Sequence, residues 1–344
     1  MKFVSVDNLE SGMIVVRSVF NEEGVMLLAR NSKLSPRLIK RVRELGYSGL
    51  YIYDEFSDYE ELNEVLDEVE RMSIVRSLKT LDLDKVMYFS NMIVDRLLGM
   101  EELVLDFKEL RNFHSSTYEH SINVALSAAA CGINMGMKND ELNDLALAAL
   151  LHDVGKRKIP LSILDKAGKL TPEEREEVEK HTIYGYEILR YNEKISTSVR
   201  VAVLEHHENY DGSGYPEGRK GNDIYLDARV IHVADVYDAL RQKRAYKNDF
   251  GGMEALEYLW GFAGTMFDFD IVQEFMKSIV IYPVGAEITL SDGRKARILK
   301  NNPDYLLRPV VMTEDMKRID LANDMDSLSL VISGSATSEK GKQQ

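Results

Sequence analysis

ELNDLALAALLHD, residues 141–153, is an apolar run of helical period that closes on a histidine–aspartate pair. VRVAVLEHH (199–207) closes in the same way on two adjacent histidines. Three further segments carry related side chains. His120 lies in an amphipathic stretch that begins near Phe107, and Asp235 lies within ARVIHVADVYDAL (228–240). His181 follows Thr171-Pro172-Glu173-Glu174, which combines a cap, a proline at the first turn and a capping-box glutamate. That start predicts a helix carrying His181. Residues 106–282 therefore read as almost wholly helical, and ligands drawn from five helices suit a site in a bundle core.

Six of the seven histidines fall between positions 120 and 232. Imidazole plus carboxylate is a common ligand set for divalent transition metals. Asp153 and Asp235, among five histidines, supply oxygen ligands able to bridge two ions, and centres of that kind mostly hydrolyse phosphate esters. For any one histidine a core or surface role is the commoner explanation; the ordered HD and HH pairs outweigh it here. His114 is expected at the surface. His232, three residues before Asp235 on the same helix face, is expected to serve packing.

The rest of the chain sets limits. With 344 residues there is room for two or three domains. A formal net charge of -14 argues against a nucleic-acid polymer as partner, which would want a basic face. It leaves a small anionic substrate open, because bound metals carry local positive charge. Cys131 is the single cysteine, so no intrachain disulfide forms, which fits a cytoplasmic setting. MKFVSVDNLESGM at the N-terminus lacks the basic start and apolar core of a signal peptide. LALAALL (145–151) is too short for a membrane span.

Residues 1–55 read as a small α/β module, with strands at 13–19, 25–29 and 49–54 and a helix over 35–46 begun by Ser35 and Pro36. Residues 56–105 are acidic and helical and read as a solvated amphipathic spacer of one or two helices. Residues 283–333 alternate strand-like runs with DG and NNP turns, a small, barrel-like β module. The polar tail, 334–344, is expected to be disordered. The fold class is thus mainly α, a metal-dependent helical bundle with an N-terminal α/β module and a C-terminal β module.

TYEHSINVA (117–125), HDVGKRKIP (152–160), HTIYGYEIL (181–189), HHENYDGSGYP (206–216) and ADVYDALRQKRAY (234–246) resemble, in order and spacing, the motifs of the HD-GYP family. HHE followed by DGSGYP is the most specific of them. The resemblance implies the HD-type phosphohydrolase fold and hydrolysis of cyclic di-GMP to pGpG, often on to GMP. It also implies two divalent metals, iron or manganese. One would take His120, His152, Asp153 and Asp235, the other Asp153, His181, His206 and His207. Four ligands each leave room for a bridging water, which metals acidify from near 16 to roughly 7, making hydroxide available to attack phosphorus.

Some family members carry a glutamate one turn before the first histidine that helps hold a third metal. Ser116 stands there in this chain, so a binuclear centre is expected. Lys156, inside HDVGK, is expected to reach a non-bridging phosphate oxygen and stabilise developing charge. Residues 211–216 form a turn, in which Gly214 would let substrate approach the backbone and Tyr215 would contact a guanine or phosphate. By resemblance Arg244 and Lys247 bind the second phosphate of a dinucleotide, and Asp238 orients a lysine or a base edge. Two other readings stand beside this one: a weakly active or non-catalytic sensor of cyclic dinucleotides, and a hydrolase of another such molecule, for example cyclic GMP-AMP. The terminal modules would then serve regulation, homodimer formation or contact with a signalling partner.

Overall fold

The computed structural model describes residues 2–16, 18–20, 25–45, 47, 49–53, 65–100, 103, 105, 117–166, 168–244, 251–279, 282, 284–302 and 305–335. The N-terminal module contains β1 (Lys2–Ser5), β2 (Val19–Phe20), β3 (Met26–Leu28), α1 (Pro36–Glu44) and β4 (Gly49–Ile52). β1 pairs antiparallel with β4, and β2 with β3. Ser35 Oγ accepts from Leu38 N at 3.3 Å, the cap that its position suggests. The strand expected over 13–19 forms only in part. Val15 N donates to Ser32 O while Val16 N donates to Tyr51 O, so the segment divides its hydrogen bonds between two partners instead of running along one. Val15, Val19, Leu28, Leu34, Val42, Leu50 and Ile52 form a core of their own.

The helical body runs α2 (Glu68–Thr80), α3 (Leu83–Leu98), α4 (Thr117–Asn134), α5 (Asn139–Leu151), α6 (Leu161–Leu164), α7 (Pro172–Glu179), α8 (His181–Leu189), α9 (Thr197–Glu205), α10 (Leu226–Arg244), α11 (Gly251–Gly261) and α12 (Phe269–Lys277). α4 is buried continuously from His120 to Gly132. A helix hidden all round belongs in the centre, and α2, α3, α5, α10 and α12 pack about it. A methyl group at Gly132 would come within 2.9 Å of Leu142 and Leu145, so glycine there sets how closely α5 approaches.

Residues 65–100, with Leu105, are not a solvated spacer; positions 56–64 of the expected spacer lie outside the described residues. Ile74, Val75 and Leu78 of α2, and Val86, Phe89, Ile93, Val94 and Leu97 of α3, are buried in the same core as α4 and α5. The acidic composition lies on the outer faces: Asp67 caps α2 and forms a reciprocal capping box with Glu70.

β5 (Glu287–Leu290), β6 (Lys295–Lys300), β7 (Val310–Thr313), β8 (Arg318–Asp320) and β9 (Ile332–Ser335) form an antiparallel sheet in the order β8-β7-β6-β5-β9. It is open rather than barrel-like, with β8 and β9 at opposite edges. Closure is unnecessary because one face, including Ile288, Leu290, Ile298, Val311 and Ile319, is covered by joining the helical core. β9 extends through Gly334 and Ser335, the first two residues of the expected disordered tail, since β5 offers a free edge there; the remaining tail lies outside the described residues. No helix among the described residues is long and apolar enough to cross a membrane.

Candidate metal centre

The seven expected ligands converge. His120 comes from the first turn of α4, His152 and Asp153 from the end of α5, and His206 and His207 from the end of α9. Asp235 lies in α10. His181 opens α8 and does not lie on the capped helix α7, which stops at Glu179. Donor atoms of His120, His152 and Asp153 lie within 4.8 Å of one another, as do those of His181, His206 and His207. Asp153 stands between the groups, Oδ2 at 3.5 Å from His152 Nε2 and Oδ1 at 3.5 Å from His181 Nε2. Asp235 faces His120 Nε2 at 2.8 Å and His207 Nδ1 at 3.9 Å.

Local backbone chemistry aims the rings. His152 Nδ1 donates to Ala149 O at 2.7 Å, His181 Nδ1 to Val178 O at 2.7 Å, and His206 Nδ1 to Val203 O at 2.8 Å. Each acceptor is three residues earlier in the chain. A proton fixed on Nδ1 leaves the Nε2 lone pair for the interior of the site. His181 Nε2 and His206 Nε2 stand 3.3 Å apart.

Two buried atoms, His152 Nε2 and Asp153 Oδ1, meet no hydrogen-bond partner among the described residues. Such atoms are costly unless something else satisfies them. Burial also drives His206 and His207 well below the ordinary histidine range and lowers His152 and His181, so these rings are neutral at pH 7. Burial would raise Asp153, but the cations and rings around it, Lys156 foremost, hold it well below the usual carboxylate range. Asp235 is likewise held low, against its burial, by His120. Four neutral imidazoles, with His152 Nε2 unpaired, beside ionised carboxylates fit divalent metals, while His120 differs: against its burial, Asp235 and Asp238 raise it to about 10.

Lys156 Nζ lies 2.6 Å from Asp153 Oδ2; burial opposes its charge, and Asp153 prevails and raises it. The glycine of HDVGK acts against the protein itself: a methyl group at Gly155 would fall 1.8 Å from His181 O and 2.5 Å from Gly185 N. That contact seats the turn after Asp153 directly on α8. Gly214 is similar. Its added carbon would meet Asn209 N at 2.2 Å and His207 O at 2.4 Å, so the close approach it permits is to its own chain rather than to substrate. The fold-back lays the Tyr215 ring over His207, with centroids 4.8 Å apart.

Asp238 does not face outward toward a base. It is 2% exposed, and its Oδ2 accepts from His120 Nδ1 at 2.7 Å. Its place three residues beyond Asp235 puts it on the same face of α10, a signal present in the sequence. His232 does more than pack: Nδ1 donates to His206 O at 2.9 Å, steadying the backbone of a ligand. Glu208, the acid of HHE, carried no role in the sequence reading. Its carboxylate accepts from Glu217 N at 2.7 Å, Gly218 N at 3.0 Å and Arg219 N at 3.0 Å, tying down the loop beyond Pro216. Its buried position directly after two ligands was the clue. Arg244 ends α10; its side chain, with Lys247, Ser116 and His114, lies outside the described residues.

Together the bundle and its centre define a metal-dependent phosphohydrolase fold of the HD type. A model of the family described as HD domain matches residues 99–271, half of the chain, and the chain belongs to that family, in its HD-GYP branch. A cyclic di-GMP phosphodiesterase of Pseudomonas aeruginosa is 36% identical over 208 residues, 60% of this chain and 50% of that protein. One from Thermotoga maritima is 33% identical over 213 residues, 60% and 57% of the two chains. A 3'3'-cGAMP-specific phosphodiesterase of Vibrio cholerae is 36% identical over 185 residues, 53% and 35%. The chain thus spans about half the length, or less, of these curated relatives. A solved HDG"Y"P protein from Bdellovibrio bacteriovorus shares the fold, with a TM-score of 0.53 and 16% identity over 80% of this chain and 97% of that one.

Proposed function

We propose that the protein is a cytoplasmic phosphodiesterase that opens cyclic di-GMP to pGpG and carries it on to GMP. The observation that carries this reading is Asp153, one carboxylate facing histidines of both donor groups. His120, His152, Asp153 and Asp235 would hold one divalent ion, and Asp153, His181, His206 and His207 a second, with iron or manganese suiting these donors. Such ions supply an acidified water and Lewis acidity toward the phosphate oxygens.

The protein's own groups do the rest. Lys156 is released from Asp153 when that carboxylate is engaged elsewhere, and its ammonium then offsets charge developing on a non-bridging phosphate oxygen. Tyr215, stacked on His207, borders the space where a guanine or phosphate would lie. Asp238 and His232 hold ligands from behind. Arg244 and Lys247 are assigned to the phosphate that is not cleaved, and the terminal modules, which supply none of the seven proposed ligands, to regulation or self-association.

The relative named for 3'3'-cGAMP keeps a second reading, hydrolysis of another cyclic dinucleotide, in play. Incubating manganese- or iron-loaded protein with cyclic di-GMP, 3'3'-cGAMP and cyclic di-AMP, and separating the products by chromatography, tests both. Conversion of cyclic di-GMP to pGpG in preference to the others is expected; turnover of none would leave a sensor. Arg244→Ala and Lys247→Ala should impair the dinucleotide far more than bis(p-nitrophenyl) phosphate, which has no second phosphate to hold. Equal losses on both substrates would remove the clamp.

A further inference from the structure

Arg71 lies on α2, ahead of the part of the chain that the family model matches. Its side chain is 14% exposed, and Nη1 lies 3.6 Å from Glu119 Oε2. The same nitrogen donates to Asn123 Oδ1 at 3.3 Å. Asn123 is fully buried on α4, and its Nδ2 donates to Asp238 Oδ1 at 3.0 Å. Asp238 Oδ2 accepts from His120 Nδ1 at 2.7 Å, and His120 Nε2 faces Asp235 at 2.8 Å. A single line of polar contacts therefore runs from α2 to a ligand of the proposed centre.

The direction of every bond in that line is forced. A guanidinium only donates, and an ionised carboxylate only accepts. An amide between them satisfies both in one orientation; reversed, its NH2 would meet the guanidinium and its oxygen the carboxylate. Arg71 thus selects the amide orientation of Asn123. Asn123 occupies Asp238 Oδ1, which leaves Oδ2 for His120 Nδ1–H. With Nδ1–H held by Asp238, Nε2, which faces Asp235 Oδ1 at 2.8 Å, is the ring nitrogen turned toward the centre.

We infer that Arg71 is a positioning residue for the metal centre, holding the His120 ring oriented toward it through Asn123 and Asp238 and coupling α2 to the affinity of one metal. This rests on the two-metal reading above. The plainer account is that Arg71 forms only a local ion pair with Glu119, which would leave the centre untouched.

The 344-residue chain tests this without recourse to turnover. Wild type, Arg71→Ala, Arg71→Lys and Glu119→Gln are stripped, titrated with Mn2+ against a competing chelator, and melted without metal. Arg71→Ala should weaken one of two metals by on the order of 10-fold or more, the usual effect of losing a group behind a ligand. The other metal and the metal-free melting temperature should stay near wild type. Arg71→Lys should restore part of the loss, and Glu119→Gln should bind as wild type does. Two metals bound normally by Arg71→Ala would overturn the inference. So would equal weakening of both with a collapsed metal-free melt, or a Glu119→Gln variant that matches Arg71→Ala. Wild-type protein that takes up no metal would remove the centre itself, and the role of Arg71 with it.

Discussion

Lys156 Nζ sits 2.6 Å from Asp153 Oδ2, three residues away across the turn that ends the HD motif. The pair separates two roles that substitution can tell apart. Asp153→Ala removes the carboxylate shared by both donor groups, so metal uptake and hydrolysis should both be lost while the far-ultraviolet circular dichroism stays helical. Lys156→Ala should keep its metals and lose turnover by on the order of 10²-fold, as for one missing electrostatic stabiliser. Metal analysis beside initial rates checks this; unchanged turnover would take Lys156 out of the mechanism.

Gly155 and Gly214 each press against backbone, which cannot step aside as a side chain can. Gly155→Ala should destabilise the protein by about 1–3 kcal/mol or more, the range for overpacking, and should part Asp153 from His181. Gly214→Ala should shift the Tyr215 loop and slow hydrolysis by on the order of 10²-fold, the effect of a displacement near 1 Å. Urea unfolding separates the first and kinetics the second. A Gly155→Ala protein as stable as wild type would contradict the contact with α8.

Glu208 receives three backbone N–H groups from residues 217–219. Glu208→Ala removes the acceptor of all three, at about 0.5–1.5 kcal/mol for each hydrogen bond lost, whereas Glu208→Gln keeps one accepting oxygen. Alanine should therefore cost more stability than glutamine, and limited proteolysis should find new cleavage between 211 and 220 in the alanine variant. Equal stability of the two variants would argue against the carboxylate as the loop's anchor.

Asp227 gives a pH test outside the centre. Only 4% exposed, it is raised by burial, and by Asp144 and Glu141 nearby, from 3.8 to about 7. The folded value lies above the unfolded one, so its stabilising contribution is full below the unfolded value and disappears as pH rises through about 7. Asp227→Asn keeps the shape without the charge. Its advantage over wild type should grow by roughly 2 kcal/mol between pH 5 and pH 8. Unfolding curves at the two pH values decide it, since a constant difference would deny the shift.

Much of the candidate centre was legible because its proposed ligands come in short motifs at helix ends, where HD and HH mark both the chemistry and the local structure; Thr-Pro-Glu-Glu marks α7 but not the helix that carries His181. The partners of the glycines were not. A glycine shows that something comes close, but not whether substrate or chain does, and Gly214 meets His207 and Asn209 only because the loop doubles back. β1 was missed because its ladder lies some forty-five residues away, on β4, where no local pattern reports it. Residues 65–98 were misread because acidic outer faces conceal the apolar stripes of α2 and α3.

The single core shared by α2, α3, α4 and α5 also bears on where this chain can be divided. A fragment begun at 106 would carry every proposed ligand, yet it would open the seat of Val86, Phe89, Ile93, Val94 and Leu97 to water. It would emerge from the ribosome with an uncovered apolar trough and a tendency to aggregate. A cut ahead of Val65 keeps the trough filled, so the smallest portable unit is longer at its front end than its motifs suggest.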